Sequence, residues 1–184
     1  MAVVERYKGE PMIRELSAED RDAIYEIINQ AARAYQGIIP EDRYHEPYMP
    51  LEELRPEMER MTFFGWEGQG RLVGVMGFEV VRDVTLIRHA YVLPDYQRQG
   101  IGTRLLEHLK QLTSTKRLLV GTWADASWAI DFYQKHGFRL MPDKDDLLRA
   151  YWDIPQRQIE TSVVLGVELA EGCCRAPRGG LTTR

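Results

Sequence analysis

Cysteine is nearly absent. The 184 residues hold two, Cys173 and Cys174, side by side near the C-terminal end. Adjacent thiols build neither a disulfide framework nor a metal site. Nothing else in the chain sets His, Cys, Asp and Glu at ligand spacing, so no metal is expected. No apolar run approaches the roughly 18 residues that cross a bilayer, so no membrane partner is expected. An excess of basic charge is also missing: the net charge is −4, with 24 Lys and Arg against 28 Asp and Glu. That balance lacks the electrostatic footprint of a nucleic-acid binder, and no nucleic acid is expected as a partner. The first ten residues carry no apolar stretch of the signal-peptide kind, and with the free thiols this makes a cytoplasmic location the expectation. Two phosphate motifs are lacking as well. There is no Gly-Lys-Ser/Thr, and Leu105 stands where a dinucleotide fingerprint would place its third glycine.

What is present is an ordinary globular composition, 44% hydrophobic and 28% charged, in a chain long enough to bury one core. The pattern predicts a single domain over 1–169, followed by a Gly-, Arg- and Thr-rich tail over 170–184 with little to bury, expected to be disordered. A short strand is predicted at 12–16. Ser17 to Asp20 resembles a capping box, and Ile24, Ile27, Ile28, Ala31 and Tyr35 then recur at helical spacing, giving a helix over 18–35 that Gly37 and Pro40 end. Residues 37–50, polar and aromatic, form a loop. Leu51, Leu54, Met58 and Met61 return to helical spacing. Pro56 fits only a first turn, which predicts two short helical pieces there. Strands follow at 62–66 and 71–81, joined by a hairpin at Gly68-Gln69-Gly70. Further strands are predicted at 84–93, 117–123, 138–141 and 161–167, with helices at 102–112, 127–136 and 143–152. Antiparallel strands therefore come first and a β–α–β–α–β series second. The expected fold class is α/β (α+β): a mixed, mostly antiparallel sheet of about seven strands with helices on both faces.

The run Gln97-Arg98-Gln99-Gly100-Ile101-Gly102 carries the chemistry. It lies where a strand turns into a helix striped with Ile101, Leu105, Leu106, Leu109 and Leu112. Glycine lets the backbone approach a ligand closely, and the N–H groups of a first helical turn have no internal partner. With the cation of Arg98, they make a point that suits phosphate. The same residues also serve a plain tight turn between strand and helix.

This run resembles the acetyl-CoA-binding motif of the GNAT family of N-acetyltransferases, Arg/Gln-x-x-Gly-x-Gly. A second block, Ala129-Ile130-Asp131-Phe132-Tyr133-Gln134-Lys135-His136-Gly137-Phe138, is similar to that family's later Ala-x-x-Phe-Tyr…Gly-Phe motif. The resemblance spans nearly the whole chain and implies a sheet splayed between the fourth and fifth strands. Acetyl-CoA is the implied cosubstrate. Ala90, Tyr91 and Val92 would offer backbone groups to its pantetheine arm, and Arg98, Gln99, Gly100, Ile101, Gly102 and Thr103 would wrap its pyrophosphate. Tyr133 matches the position of a general acid that protonates the departing thiolate. Glu79 and His89 are the candidates for the base that receives the amine's proton. Some members carry a glutamate and an asparagine where Gly121 and Ala126 stand here, which sets peptide N-termini apart as acceptors. The loop holding Tyr44, His45 and Tyr48 is expected to cover the acceptor site, with Trp123 facing it. The implied partner is a small-molecule or protein amine, attacked directly, since no cysteine in the domain body can carry the acetyl group. A non-catalytic acyl-CoA sensor is the alternative. Family members are often dimers, and the strand over 161–167 is the expected edge for a homodimer.

Overall fold

The computed structural model describes residues 11–169; both cysteines and the tail expected to be disordered lie outside the described residues. In chain order come strand β1 (Met12–Glu15), helices α1 (Arg21–Ala32) and α2 (Leu51–Arg60), strands β2 (Thr62–Gly68), β3 (Arg71–Val81) and β4 (Val84–Val92), helix α3 (Ile101–Leu112), strand β5 (Arg117–Trp123), helix α4 (Ser127–Lys135), strand β6 (Arg139–Leu140), helices α5 (Lys144–Tyr151) and α6 (Gln156–Thr161), and strand β7 (Ser162–Glu168). One sheet takes all seven strands in the order β1-β2-β3-β4-β5-β7-β6. Every pairing is antiparallel except β4 with β5, so the expected mixed sheet is the observed one.

Local chemistry explains most of these elements. The hairpin between β2 and β3 turns on Gln69 and Gly70, with φ of 56° and 74°. Two successive positive φ values mark the tight turn whose twist matches that of paired strands. Ser17 accepts from the Glu19 N–H, while the Asp20 carboxylate accepts from the Ser17 N–H at 2.9 Å. Asp20 also takes two bonds from Arg14 on β1, at 2.7 and 3.0 Å. One carboxylate thus caps the helical entry and ties it to the sheet. The expected helix over 18–35 is three pieces, because tight 3₁₀ turns at Ala18–Asp20 and Arg33–Tyr35 flank α1.

The hydrogen bond from Arg14, more than any other contact, holds the Asp20 carboxyl below the usual carboxylate range. Since the folded chain keeps this group ionised more readily than the unfolded chain does, its stabilisation is complete above the unfolded value of about 4 and is lost as pH falls through the lowered folded value. Asp20→Ala is expected to lose about 2 kcal/mol near pH 7. The gap to the unsubstituted chain should close in urea unfolding at acid pH. A gap that stays constant into acid would show that charge plays no part.

Two expectations are corrected. Residues 51–60 form one helix, with Pro56 inside it rather than a break. Pro56 and Glu52, four residues earlier, are both exposed, so the carbonyl that loses its partner faces water. The segment before β7, where the spacing predicts no element, contains α6, whose Ile159 enters a small core with Leu86, Leu119, Leu147 and Leu148. Pro155 stands at its N-cap.

The faces of the sheet are distinct. His108 of α3 meets Phe64 edge-on at 4.9 Å, and Arg104 lies over Trp66 at 5.1 Å, so α3 covers the face that carries these two rings. The side chain of Phe63 points the other way and stacks on His89 under α2. α1 sits beside α2, joined through Asn29, which bonds the Met49 carbonyl and N–H at 3.0 and 2.8 Å. At the far edge, β6 covers β7 at Leu165 and Gly166 alone. The edge proposed for a homodimer is therefore partly occupied within the chain.

Candidate active site

The feature that organises the site is where strand pairing stops. β4 and β5 pair from Val84 with Arg117 to Ile87 with Val120, and no further. Both strands continue, β4 through Arg88 to Val92 and β5 through Gly121 to Trp123, without a ladder between them. A bulge accompanies the parting. Val75 pairs with Tyr91 and Gly77 with Arg88, so His89 and Ala90 together oppose Met76. His89 takes φ of 51° there. A bulge of this kind sharpens the local twist and turns the strand away from its neighbour. Backbone groups along the opened edge of β4 are left for something other than β5.

One cavity of about 570 Å³ enters from the α3 and α4 face. Ala90, Tyr91, Val92, Arg98, Gly100, Ile101, Gly102 and Thr103 line it, with Tyr133 and Phe132 from α4. Of the residues expected at the cofactor, Gln99 does not line it; its amide donates instead to the Asp95 carbonyl at 3.1 Å. Gln97 braces the same turn by donating to the Val92 carbonyl at 3.0 Å. Gly100 is the N-cap of α3 with φ of 80°, a conformation that disfavours any side chain. The first helical bond of α3 runs from the Arg104 N–H to the Gly100 carbonyl. The N–H groups before Arg104 have no helical acceptor and point out of the helix end. A Cβ on Gly102 would lie 3.4 Å from the Phe132 ring, so α4 packs close to this end. The donor set and the bare backbone fit a pyrophosphate.

Tyr133 is 4% exposed and meets Phe132 and Phe138 edge-on at 5.1 and 5.3 Å. Burial first, then the nearness of Tyr35, pushes its phenol above the ordinary tyrosine value. Its proton stays in place across the physiological range.

A second cavity, of about 540 Å³, opens under α2 and α5 on the other face. Tyr35 and Tyr91 line both cavities, which therefore meet at the parted strands. The second cavity takes in His45, Tyr48, Trp123 and His89. Trp123 donates its indole N–H to the Tyr48 hydroxyl at 2.9 Å, and Tyr48 also packs on Tyr35 and on His45. Tyr44 stands behind Tyr48, at 6.3 Å between rings, and bonds Glu46; it does not line the cavity. Burial, and then the phenols of Tyr35, Tyr48 and Tyr133, push Tyr91 far up.

The two candidate bases sit differently. Glu79 is clamped between Arg60 at 3.1 Å and Arg88 at 2.9 Å, its side chain 9% exposed, and it lines neither cavity. His89 lines the second cavity, with Nε2 2.7 Å from Oε2 of Glu57. A carboxylate only accepts, so Nε2 carries the proton and Nδ1 is the basic atom. Burial works against the charge on Glu57, but the His89 bond and the nearby Arg88 and Arg60 outweigh it and hold Glu57 below the usual carboxylate range. Glu57 escaped the sequence reading because it lies in a helix of many acids, with nothing in its spacing to single it out. Among the described residues no cluster of His, Cys, Asp and Glu could hold a metal ion, and no helix is long and apolar enough to cross a membrane.

Comparison with known proteins shows what these features are similar to. Residues 59–140, which run from the end of α2 to β6, match the model described as an acetyltransferase (GNAT) domain. A spermidine N(1)-acetyltransferase of Thermoplasma acidophilum is 25% identical over 142 residues, 70% of this chain and 88% of that protein. The crystal structure of PaiA N-acetyltransferase from the same organism, in complex with coenzyme A, shares the fold with a TM-score of 0.68 at 20% identity, covering 88% of this chain and all of that one. The ribosomal-protein-S18-alanine N-acetyltransferase of Escherichia coli has a TM-score of 0.62 at 22% identity, over 94% of this chain and 99% of the other. The acetyltransferase (GNAT) model thus matches across the parted strands and α3, and the fold around them is the one seen in these N-acetyltransferase structures, one of them solved with coenzyme A bound.

Proposed function

We propose that the chain moves an acetyl group from acetyl-CoA to a primary amine by direct attack, the amine entering through the cavity under α2 and the donor through the cavity beside α3. The meeting of the two cavities at Tyr35 and Tyr91 carries this reading, because it lets two substrates reach one point from opposite faces. The pyrophosphate would lie on the N-terminal end of α3, with Arg98 and Thr103 beside it. The pantetheine arm would follow the opened edge from Ala90 to Val92. On the other side, Glu53 and Glu57 stand among Tyr48, Trp123 and Trp152. Carboxylates beside aromatic faces suit a cationic amine, whether of a small molecule or of a protein side chain.

The chemistry needs three proton transfers. The ammonium must lose a proton before nitrogen can attack the thioester carbonyl, and Nδ1 of His89 receives it, with Glu57 holding the ring. Attack leaves a positively charged nitrogen on the tetrahedral adduct. As the carbon–sulfur bond breaks, the sulfur leaves as thiolate and takes the Tyr133 proton, and the second proton shed by the nitrogen as it becomes the amide restores the Tyr133 phenol. Both cysteines lie at 173 and 174, outside the two motifs, which favours direct transfer over an acetyl-enzyme.

Release of coenzyme A thiol from acetyl-CoA, measured against polyamines, amino acids, aminoglycosides and lysine-containing peptides, tests the reading. Release with a cationic amine is the expected result. A thermal shift with acetyl-CoA but no release with any acceptor would favour an acyl-CoA sensor instead. Neither shift nor release would remove the pyrophosphate site from the end of α3.

A further inference from the structure

His136, in the second sequence block, has no part in the transfer described above, yet it reaches the phosphate end of the donor cavity. Its Nδ1 lies 2.7 Å from the Phe132 carbonyl oxygen and its Nε2 3.1 Å from Oγ1 of Thr103. A carbonyl can only accept, so Nδ1 carries a proton in every state of the ring. In the neutral ring Nε2 is then an acceptor, and the Thr103 hydroxyl has to donate to it. That leaves Thr103 with lone pairs alone to present to an anion. When the ring is protonated, Nε2 donates to Thr103, and the hydroxyl proton turns free to be donated elsewhere.

We infer that His136 is a positioning residue for the donor, switching Thr103 between a hydroxyl that cannot donate to a pyrophosphate and one that can. This rests on the reading of the α3 end as the pyrophosphate site. Thr103 is the third residue of α3 and lines the donor cavity, so its hydroxyl belongs to the group of donors that phosphate oxygens would meet. Histidine is the side chain that changes charge near neutrality, and a protonated ring also adds a cation next to the anion. The charged neighbours on α3 do not take over this task. Lys110 donates to the backbone carbonyl of His136 at 3.2 Å and pairs with Glu107 at 2.9 Å. On its own helix the ring packs on Phe132 at 4.6 Å, and Lys135 next to it is exposed. Among the described residues no ion pair joins the imidazole itself to another charge.

By linkage, a ligand that binds better to the protonated ring must make the ring hold its proton more tightly. Dephospho-coenzyme A is the suitable probe, because it keeps the pyrophosphate and lacks the 3′-phosphate, whose own titration would intrude. Its Kd is expected to tighten about tenfold from about pH 8.5 to about pH 5.5, the worth of one added charge-assisted bond. His136→Gln and Thr103→Val should each flatten that dependence. In a ¹⁵N titration of the unsubstituted protein, the His136 ring should hold its proton about tenfold more tightly with the ligand bound, and Thr103→Val should abolish the difference. Binding with the same pH slope in all three proteins, or a His136 titration unmoved by ligand, would overturn the inference while leaving the pyrophosphate site intact. No binding of the probe to the unsubstituted chain at any pH would overturn both.

Discussion

Replacing Tyr133 with phenylalanine is expected to lower kcat by about a hundredfold or more while leaving coenzyme A affinity close to its original value. The substitution removes one oxygen from a ring that is already packed. Phe132 and Phe138 meet that ring edge-on, and a phenyl group fills the same space. The hydroxyl, in contrast, makes none of the hydrogen bonds found among the described residues, although the ring lines the donor cavity. The hydroxyl thus belongs to a ring that lines a cavity rather than to a pair within the protein. It is well suited to a partner that arrives with the substrate.

The upward shift of the Tyr133 phenol bears on the same prediction. A phenol that holds its proton firmly is a weak acid, and the departing thiolate must be basic enough to take it. The surroundings that raise the phenol also raise the thiol, since both lose the water that would stabilise their anions. Both shifts therefore run in the same direction inside the cavity. The measurement is steady-state kinetics with the acceptor found by thiol release, alongside direct binding of coenzyme A. A fall in kcat with unchanged Kd is the expected pair of results. An unchanged kcat would remove Tyr133 from the reaction, and a parallel loss of binding would assign it to holding the donor.

What could be seen in the one-dimensional chain followed the range of the interactions involved. The turn at Gln69 and Gly70, the cap at Ser17 and Asp20, and the strand-to-helix passage into α3 are each set by residues within a few positions of one another. Their signals survive in the sequence for that reason. α6 is different: it has six residues, too few for a helical period to show, and it exists because Ile159 fills a gap between α5 and the sheet. Pro56 misled because its rule assumes a buried helix interior, whereas here it faces water. The site divides in the same way. The backbone cradle at Gly100 and Gly102 is local and was legible. The acceptor side depends on contacts between remote segments, such as His89 with Glu57, 32 residues apart, and Trp123 with Tyr48, 75 apart. Nothing in the spacing of these residues records that they meet. As strand residues Glu79 and His89 are equivalent; the two arginines clamped on Glu79 and the cavity that His89 lines separate them.

That separation leads to the second large effect. His89→Gln is expected to reduce kcat/KM about a hundredfold near neutral pH, with the deficit shrinking steadily as pH rises. An alkylamine with an ordinary pKa of about 10.4 is neutral in roughly one molecule in a thousand or fewer at pH 7. With His89 present, the ammonium form that dominates in solution can bind and be deprotonated in place. Without it, only the rare neutral form reacts, so the rate should climb tenfold for each pH step until the amine itself is neutral. Glutamine keeps a donor toward Glu57, so the carboxylate retains a partner and the neighbouring Arg88, 3.4 Å from Glu57, has less reason to move. Glu57→Gln makes the complementary change. It preserves a hydrogen-bonding group on α2 but removes the charge that steadies a protonated imidazole, and it should shift the profile in the same direction by a smaller amount. A pH–rate profile for His89→Gln that runs parallel to that of the unsubstituted enzyme would exclude His89 as the base. If Glu79→Gln alone gave the steep profile, the proton would have to leave through the Arg60–Glu79–Arg88 cluster, and the arginines that clamp Glu79 would have to release it as the acceptor binds.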